Sequence, residues 1–398
     1  MLEGAISVSP GGSTIDRVVE PSAEFDANAG LAGALDVAAL LTADLRRHIR
    51  CGATAMPHLD RQQIADKLIA ETALLLLMAS RAPHIPGRPG RILGLAGTLA
   101  RFARAPRYYA QLAASPQAAL GIALAHVALT LLGFEDRLFD EAVADALDDP
   151  SAEAIDRPGF RHLELIWLRA LHAEATPDFG FHPDVSLLQH KLHPAWMRRE
   201  DGYAATHAAM YLTDFGRQPL PASIRPDRIA FFLDHSLTWC AAARDWDLLA
   251  EILIAGIASH QPAARHGWAL RQLAGRFSEH GALFGPACET SAIPPGREWM
   301  QSSELLLHAY HPTFVYGILC ALELNAPSAG HRHVRDSDGA DAAIEGELIL
   351  LTRNGPWDAL LNRLQELEPT AEGRLAESCE AAAAKLIRII RAKAAERS

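Results

Sequence analysis

Apolar residues recur with helical spacing through most of this chain, and no run of β-branched residues alternates with polar ones over a strand's length. A chain with that single period buries its side chains by packing helix on helix. Aromatic residues make up only 7% while alanine is abundant, and small side chains let helix axes approach closely. The pattern predicts an all-α protein of about fourteen helices, arranged as helical hairpins in an α/α-toroid-like or solenoid array. Leu35–Ile49, Gly202–Leu212, Pro226–Ala243, Trp246–Ser259 and Thr313–Leu324 are among the helices expected. Residues 1–33, rich in Gly, Ser, Pro and Ala, are expected to form a flexible arm. Residues 34–398 are then a single all-α domain with a soft internal boundary near 176–199.

The 398 residues carry a formal charge of −11, which argues against nonspecific nucleic-acid binding. The longest apolar run, Leu68–Met78, contains Glu71 and is too short to span a bilayer, so no membrane partner is expected. Five scattered cysteines without a CxxC pair fit a reduced, cytoplasmic protein.

The stretch Tyr203–Arg217 points most directly to chemistry. His207, Tyr211 and Asp214 fall at i, i+4 and i+7, one stripe of a helix amid apolar neighbours. His207 is the candidate acid or base, Asp214 its orienting carboxylate and Tyr211 a proton donor. A buried polar network needs the same residue types, and Asp214 could equally serve the turn around Gly216. In the second segment, His308–Tyr316, a helix starting at Pro312 would put His311 beside its N-cap. There the dipole disfavours the imidazolium and leaves a neutral base. Substrate contacts are expected from His235, Trp239, Tyr310, Asp247 and Arg217. Plainer roles stand beside these. Asp245 suits an N-cap, Asp247 complements the helix dipole in the first turn, and an inward Trp239 is ordinary core material.

Eighteen histidines raise the question of a metal. His308/His311 and His190/His193 have HxxH spacing, yet no HExxH helix or zinc-type Cys/His set accompanies them, and no metal or cofactor is expected. GxGxxG, GxxxxGK[ST] and GxSxG motifs are also absent from the sequence, which disfavours dinucleotide, P-loop and serine-hydrolase chemistry.

The phrases THAAMYLTDFGR (Thr206–Arg217), ARDWDLLAEIL (Ala243–Leu253) and YHPTFVYGILCAL (Tyr310–Leu322) resemble an uncharacterised all-helical family. It is found mainly in actinobacteria, often within natural-product gene clusters. In this chain Pro312 stands where a Thr or similarly small residue would be expected. The resemblance implies that His207, Tyr211, Asp214, Asp245, Asp247 and His311 lie in characteristic segments. Length and helix count are also similar to those of the lanthionine cyclases, whose zinc-binding Cys and His motifs are missing here. The expected function is therefore a tailoring enzyme of natural-product, chiefly ribosomal-peptide, biosynthesis. It would use cofactor-independent acid/base chemistry such as thioether ring closure or an elimination. Its substrate would be a peptide or small molecule, and its partner a protein of the same biosynthesis. A helical scaffold binding a peptide in its concave face, and a metal-dependent enzyme using clustered histidines, are the alternatives.

Overall fold

The computed structural model describes residues 24–398 except 57, 154–156, 181–185, 287, 289–292, 295, 327–336, 368–370 and 396–398. Among the described residues there are sixteen α-helices and no strand. They are α1 Ala27–Ala43, α2 Leu45–Ala55, α3 Arg61–Arg81, α4 Arg88–Ala103, α5 Pro106–Ala114, α6 Ala119–Leu131, α7 Arg137–Asp148 and α8 Gly159–His172. The second half holds α9 Arg199–Leu212, α10 Pro226–Ala242, α11 Trp246–Ala258, α12 His266–His280, α13 Ser303–Asn325, α14 Ser337–Asn354, α15 Trp357–Leu367 and α16 Gly373–Ala395.

The first helix begins inside the stretch expected to be an arm. Asp26 caps it, accepting from the N–H groups of Asn28 and Ala29 at 2.8 and 3.1 Å. Its glycines are not flexible spacers. A Cβ on Gly33 would lie 2.4 Å from the Phe277 ring, and one on Gly30 would lie 2.5 Å from Cys320 Sγ, so both mark close helix contacts. Residues 1–23 of the expected arm lie outside the described residues. The helix expected over Leu35–Ile49 is two helices, bent by 86° where the Asp44 side chain caps α2.

Six helices close a ring. α3 packs on α6, α6 on α8, α8 on α9, α9 on α11, α11 on α13, and α13 returns to α3. The remaining helices cover its outside, with α1 and α2 against α13 and α10 against α11. Beyond α10 a three-helix tail, α14–α16, gathers its own apolar cluster of Leu348, Leu360, Leu367, Ala382 and Leu386.

α13 is the helix that sequence reading divides wrongly. It runs unbroken through Pro312 for 23 residues. Proline removes the N–H that would bond the His308 carbonyl four residues back. Here Gly285 N–H donates to that carbonyl instead, at 3.3 Å. Thr313 Oγ1 accepts from Leu283 N–H at 3.0 Å and donates to the Leu283 carbonyl at 3.2 Å. The loop after α12 thus replaces what the proline takes away. α13 is also long and apolar enough to cross a membrane, but 83% of its most apolar window is buried among other helices. Its composition serves the core.

Candidate functional site

Five of the six ring helices turn polar side chains inward. α11 starts at Asp245, which accepts from Leu248 N–H at 3.3 Å as an N-cap and from Arg199 Nε of α9 at 2.5 Å. That junction fixes α9 against α11. Asp247 and Glu251 follow, one helical turn apart on α11, 5% and 3% exposed. Opposite them on α9 stand Tyr203, Thr206 and His207. Tyr203 donates its hydroxyl to Asp247 Oδ2 at 2.6 Å, and Thr206 Oγ1 lies 2.6 Å from Glu251 Oε2.

His311 of α13 joins the two sides. Its Nδ1 is 2.9 Å from Glu71 Oε2 of α3, and its Nε2 is 3.4 Å from Asp247 Oδ1. Lys67, one turn before Glu71, sets its ammonium 3.4 Å from Glu71 Oε1. Burial works against charge on His311, but the Asp247 and Glu71 carboxylates outweigh it and raise the pKa well above its ordinary value. For Glu71 burial pushes the pKa up, while His311 and Lys67 together bring it down to about 2. His311 is therefore a cation in a helix interior rather than the neutral N-cap imidazole expected from the sequence. The unbroken helix removes the dipole argument, and two carboxylates supply the opposite field.

The two carboxyls of α11 are driven apart. Burial and the adjacent Asp247 raise the pKa of Glu251 well above its ordinary value, which favours the protonated carboxyl. Burial would raise Asp247 too, but His311 and the Tyr203 hydrogen bond outweigh it and keep Asp247 ionised. Local hydrogen bonding agrees. Thr206 Oγ1 lies near both Glu251 Oε2 and the Tyr203 carbonyl, the latter at 3.0 Å, and has one proton to give. A protonated Glu251 donating to Thr206 Oγ1 satisfies both contacts.

His207 lies beside this pair, its Nδ1 2.8 Å from the Tyr203 carbonyl and 3.4 Å from Glu251 Oε2. Donation to a carbonyl places the proton on Nδ1 and the lone pair on Nε2. Burial lowers its pKa, so the ring is neutral at pH 7. Although both imidazoles lie deep among packed helices, the side chains of His207 and His311 stay 28% exposed and that of Glu71 stays 23% exposed. Each of the three thus keeps water-accessible surface beside otherwise buried partners.

Of the residues singled out in the sequence, the ring brings together His207, Tyr211, Asp247, Tyr310 and His311. Tyr211 is buried 5.9 Å from His207, ring centre to ring centre, with its hydroxyl beside Glu164 of α8. The Tyr310 hydroxyl is buried beside Glu71 without a well-formed hydrogen bond. Asp214 is not the orienter of His207. α9 ends at Leu212, and Asp214 sits beyond it at φ 44°, so the i+7 position no longer lies on the helical stripe. Its carboxylate accepts from Trp167 Nε1 at 2.8 Å, from Arg81 at 3.3 Å and from Arg217 at 3.1 Å. Arg217 is thereby tied to Asp214, away from His207. His235 and Trp239 face elsewhere. His235 is 1% exposed, with Nδ1 2.6 Å from Glu345 Oε1 and Nε2 3.1 Å from Glu377 Oε2 in the tail. Trp239 lies under the Arg353 guanidinium, 4.3 Å from its ring centre.

Sequence reading passed over Lys67, Glu71, Glu251, Tyr203 and Thr206. Glu71 carried a usable signal, since a carboxylate inside an apolar helical run needs a buried partner. Glu251 carried the same one.

The model of a domain of unknown function, DUF6895, matches residues 35–321. The chain belongs to that family. No curated protein and no solved structure matches it. The matched span of this DUF6895 member contains every residue of the site and all of the ring except the last turn of α13.

Proposed function

We propose that this DUF6895 protein is an enzyme whose ring interior performs general acid/base chemistry. The observation that carries the reading is the His207 geometry. A neutral imidazole, fixed by donating Nδ1–H to the Tyr203 carbonyl, leaves Nε2 as the base on a side chain that keeps accessible surface. Proton donors lie within its electrostatic reach, the His311 imidazolium and the Glu251 carboxylic acid. Neighbouring titratable groups pushed in opposite directions suit a reaction that removes a proton at one atom and returns one at another.

Conjugate addition of a thiol to a dehydrated residue has those demands. His207 Nε2 takes the thiol proton, sulfur bonds to the β-carbon, and the resulting enolate collects a proton at the α-carbon from the His311 side. An elimination is the same sequence reversed. The resemblance to proteins of natural-product gene clusters supports a peptide substrate and a tailoring role, and Thr206–Arg217, Ala243–Leu253 and Tyr310–Leu322 lie on the helices bearing His207, Asp247, Glu251 and His311.

A synthetic peptide with one dehydroalanine and one cysteine tests this. The wild type should close the thioether, and His207→Gln should lose about 10²–10⁴ in rate. The variant should stay folded, within about 1 kcal/mol of wild type, because His207 makes a single local hydrogen bond. A His207→Gln protein with full turnover, or a wild type inert toward this and the reverse reaction, overturns the assignment.

A further inference from the structure

We propose that Asp247, Glu251 and His311 form a site for one divalent transition cation, of the Zn²⁺ or Mn²⁺ kind. Each offers one ligand atom, and these atoms all lie within 4.8 Å of one another, a span one ion can close.

The carboxylates alone would not carry this. The independent observation is Asp247 Oδ1. Asp247 is only 5% exposed, and this oxygen is buried without a hydrogen bond. The His311 imidazole balances its charge from ion-pair distance without forming a hydrogen bond, which leaves lone pairs of this buried oxygen open to a ligand. It faces His311 Nε2 at 3.4 Å and lies one turn from Glu251.

The surrounding bonds occupy the opposite atom of each ligand. Tyr203 holds Asp247 through Oδ2 at 2.6 Å, and Thr206 lies against Glu251 Oε2 at 2.6 Å. Glu71 holds His311 through Nδ1 at 2.9 Å. A carboxylate on the far nitrogen of a ligating imidazole fixes the ring and raises its basicity. Asp247 Oδ1, Glu251 Oε1 and His311 Nε2 remain for the ion. The imidazole favours Zn²⁺, Mn²⁺ or Fe²⁺ over Mg²⁺ and Ca²⁺, which take oxygen ligands. Three protein ligands leave a position open to water or substrate, with His207 beside the Glu251 ligand. A bound ion would take the place of the His311 Nε2 and Glu251 protons, and its bound water would then be the acid opposite the His207 base. Of the histidine pairs noted in the sequence, His311 alone belongs to this ligand set, and His193 bonds Ser378 at 3.3 Å instead.

This deepens the acid/base reading and rests on it only for the role of the ion, not for its binding. The full chain, stripped with chelator, should take up one equivalent of Zn²⁺ and of Mn²⁺ in equilibrium dialysis. Co²⁺ should give the visible absorption of a low-coordinate nitrogen–oxygen site. Asp247→Asn and His311→Gln should each abolish stoichiometric uptake, and Glu71→Gln should weaken it about 10–100-fold through the positioning of His311. His207→Gln should bind as wild type does. Less than one equivalent in the folded wild type overturns the site whatever the variants do, and so does unchanged uptake in both ligand variants. His207-dependent turnover without cation uptake leaves the acid/base function standing alone. Cation uptake with turnover indifferent to His207 leaves the site and removes the base.

Discussion

Two buried polar networks lie side by side in this protein and are built to opposite rules. In the tail joint, Glu345 of α14 is fully buried, accepts from Arg265, His235 and Ser378, and carries no free oxygen. In the ring, Asp247 keeps an oxygen without a hydrogen bond, Glu251 is pressed against a second carboxyl, and two imidazoles remain 28% exposed. The first network is satisfied and closed, as a group that only holds helices together must be. The second is under-satisfied and open, a condition that costs stability and persists where binding or chemistry uses it. Burial alone separates nothing here. Satisfaction and access do.

The largest effect expected from breaking this contrast is at the joint. Glu345→Ala strands Arg265 and His235 in the core and should cost about 3–5 kcal/mol, read by urea unfolding. Cation uptake and turnover in the ring should persist below the unfolding transition. Loss of both without unfolding would mean the two networks act together. Asp214→Asn comes next. It takes the charge from the shared partner of Arg81, Arg217 and Trp167 and should cost about 1.5–3 kcal/mol. Turnover should be unaffected, because His207 is oriented by the Tyr203 carbonyl. A selective fall in kcat would restore Asp214 to the site.

The fold class was legible because helical period and alanine content leave few alternatives. Element ends were legible where a cap stands alone, as at Asp245. They were lost where local chemistry and tertiary contact disagree. Pro312 reads as a helix start in isolation, and only the returning loop at Leu283–Gly285 makes it a helix interior. The same disagreement inverted the charge expected for His311. For the site, His207 and Asp247 stood out as polar groups in apolar helices. Their partners did not, because Glu71 comes from α3, far away in sequence. Stripe arguments find residues of one helix, whereas this site is made by ring closure.

The last expected effect is one of slope, small over any single pH unit. His193 of the joint accepts from Ala195 N–H through Nδ1 at 3.2 Å, so a proton there breaks its own turn. Burial, then the neighbouring His235, lower its pKa to about 3 from an ordinary 6.5. A folded value below the unfolded one gives stability that is present above pH 6.5 and lost as pH falls toward 3. His311 runs the other way. Its folded value lies above 6.5, so its contribution is complete below pH 6.5 and is lost as pH rises through that value. Each proton sets a limiting slope of about 1.4 kcal/mol per pH unit. Glu71, brought to about 2 from 4.5, adds a separate loss below pH 4.5. In chelator-treated protein, urea midpoints across the pH range should show both limbs. His193→Asn, which keeps an acceptor for Ala195, should flatten the acid limb and leave the alkaline one. His311→Gln should flatten the alkaline limb and leave the acid limb intact above pH 4.5. A single variant that flattens both would mean that the networks titrate as one body, and the distinction between a closed joint and an open site would fall with it.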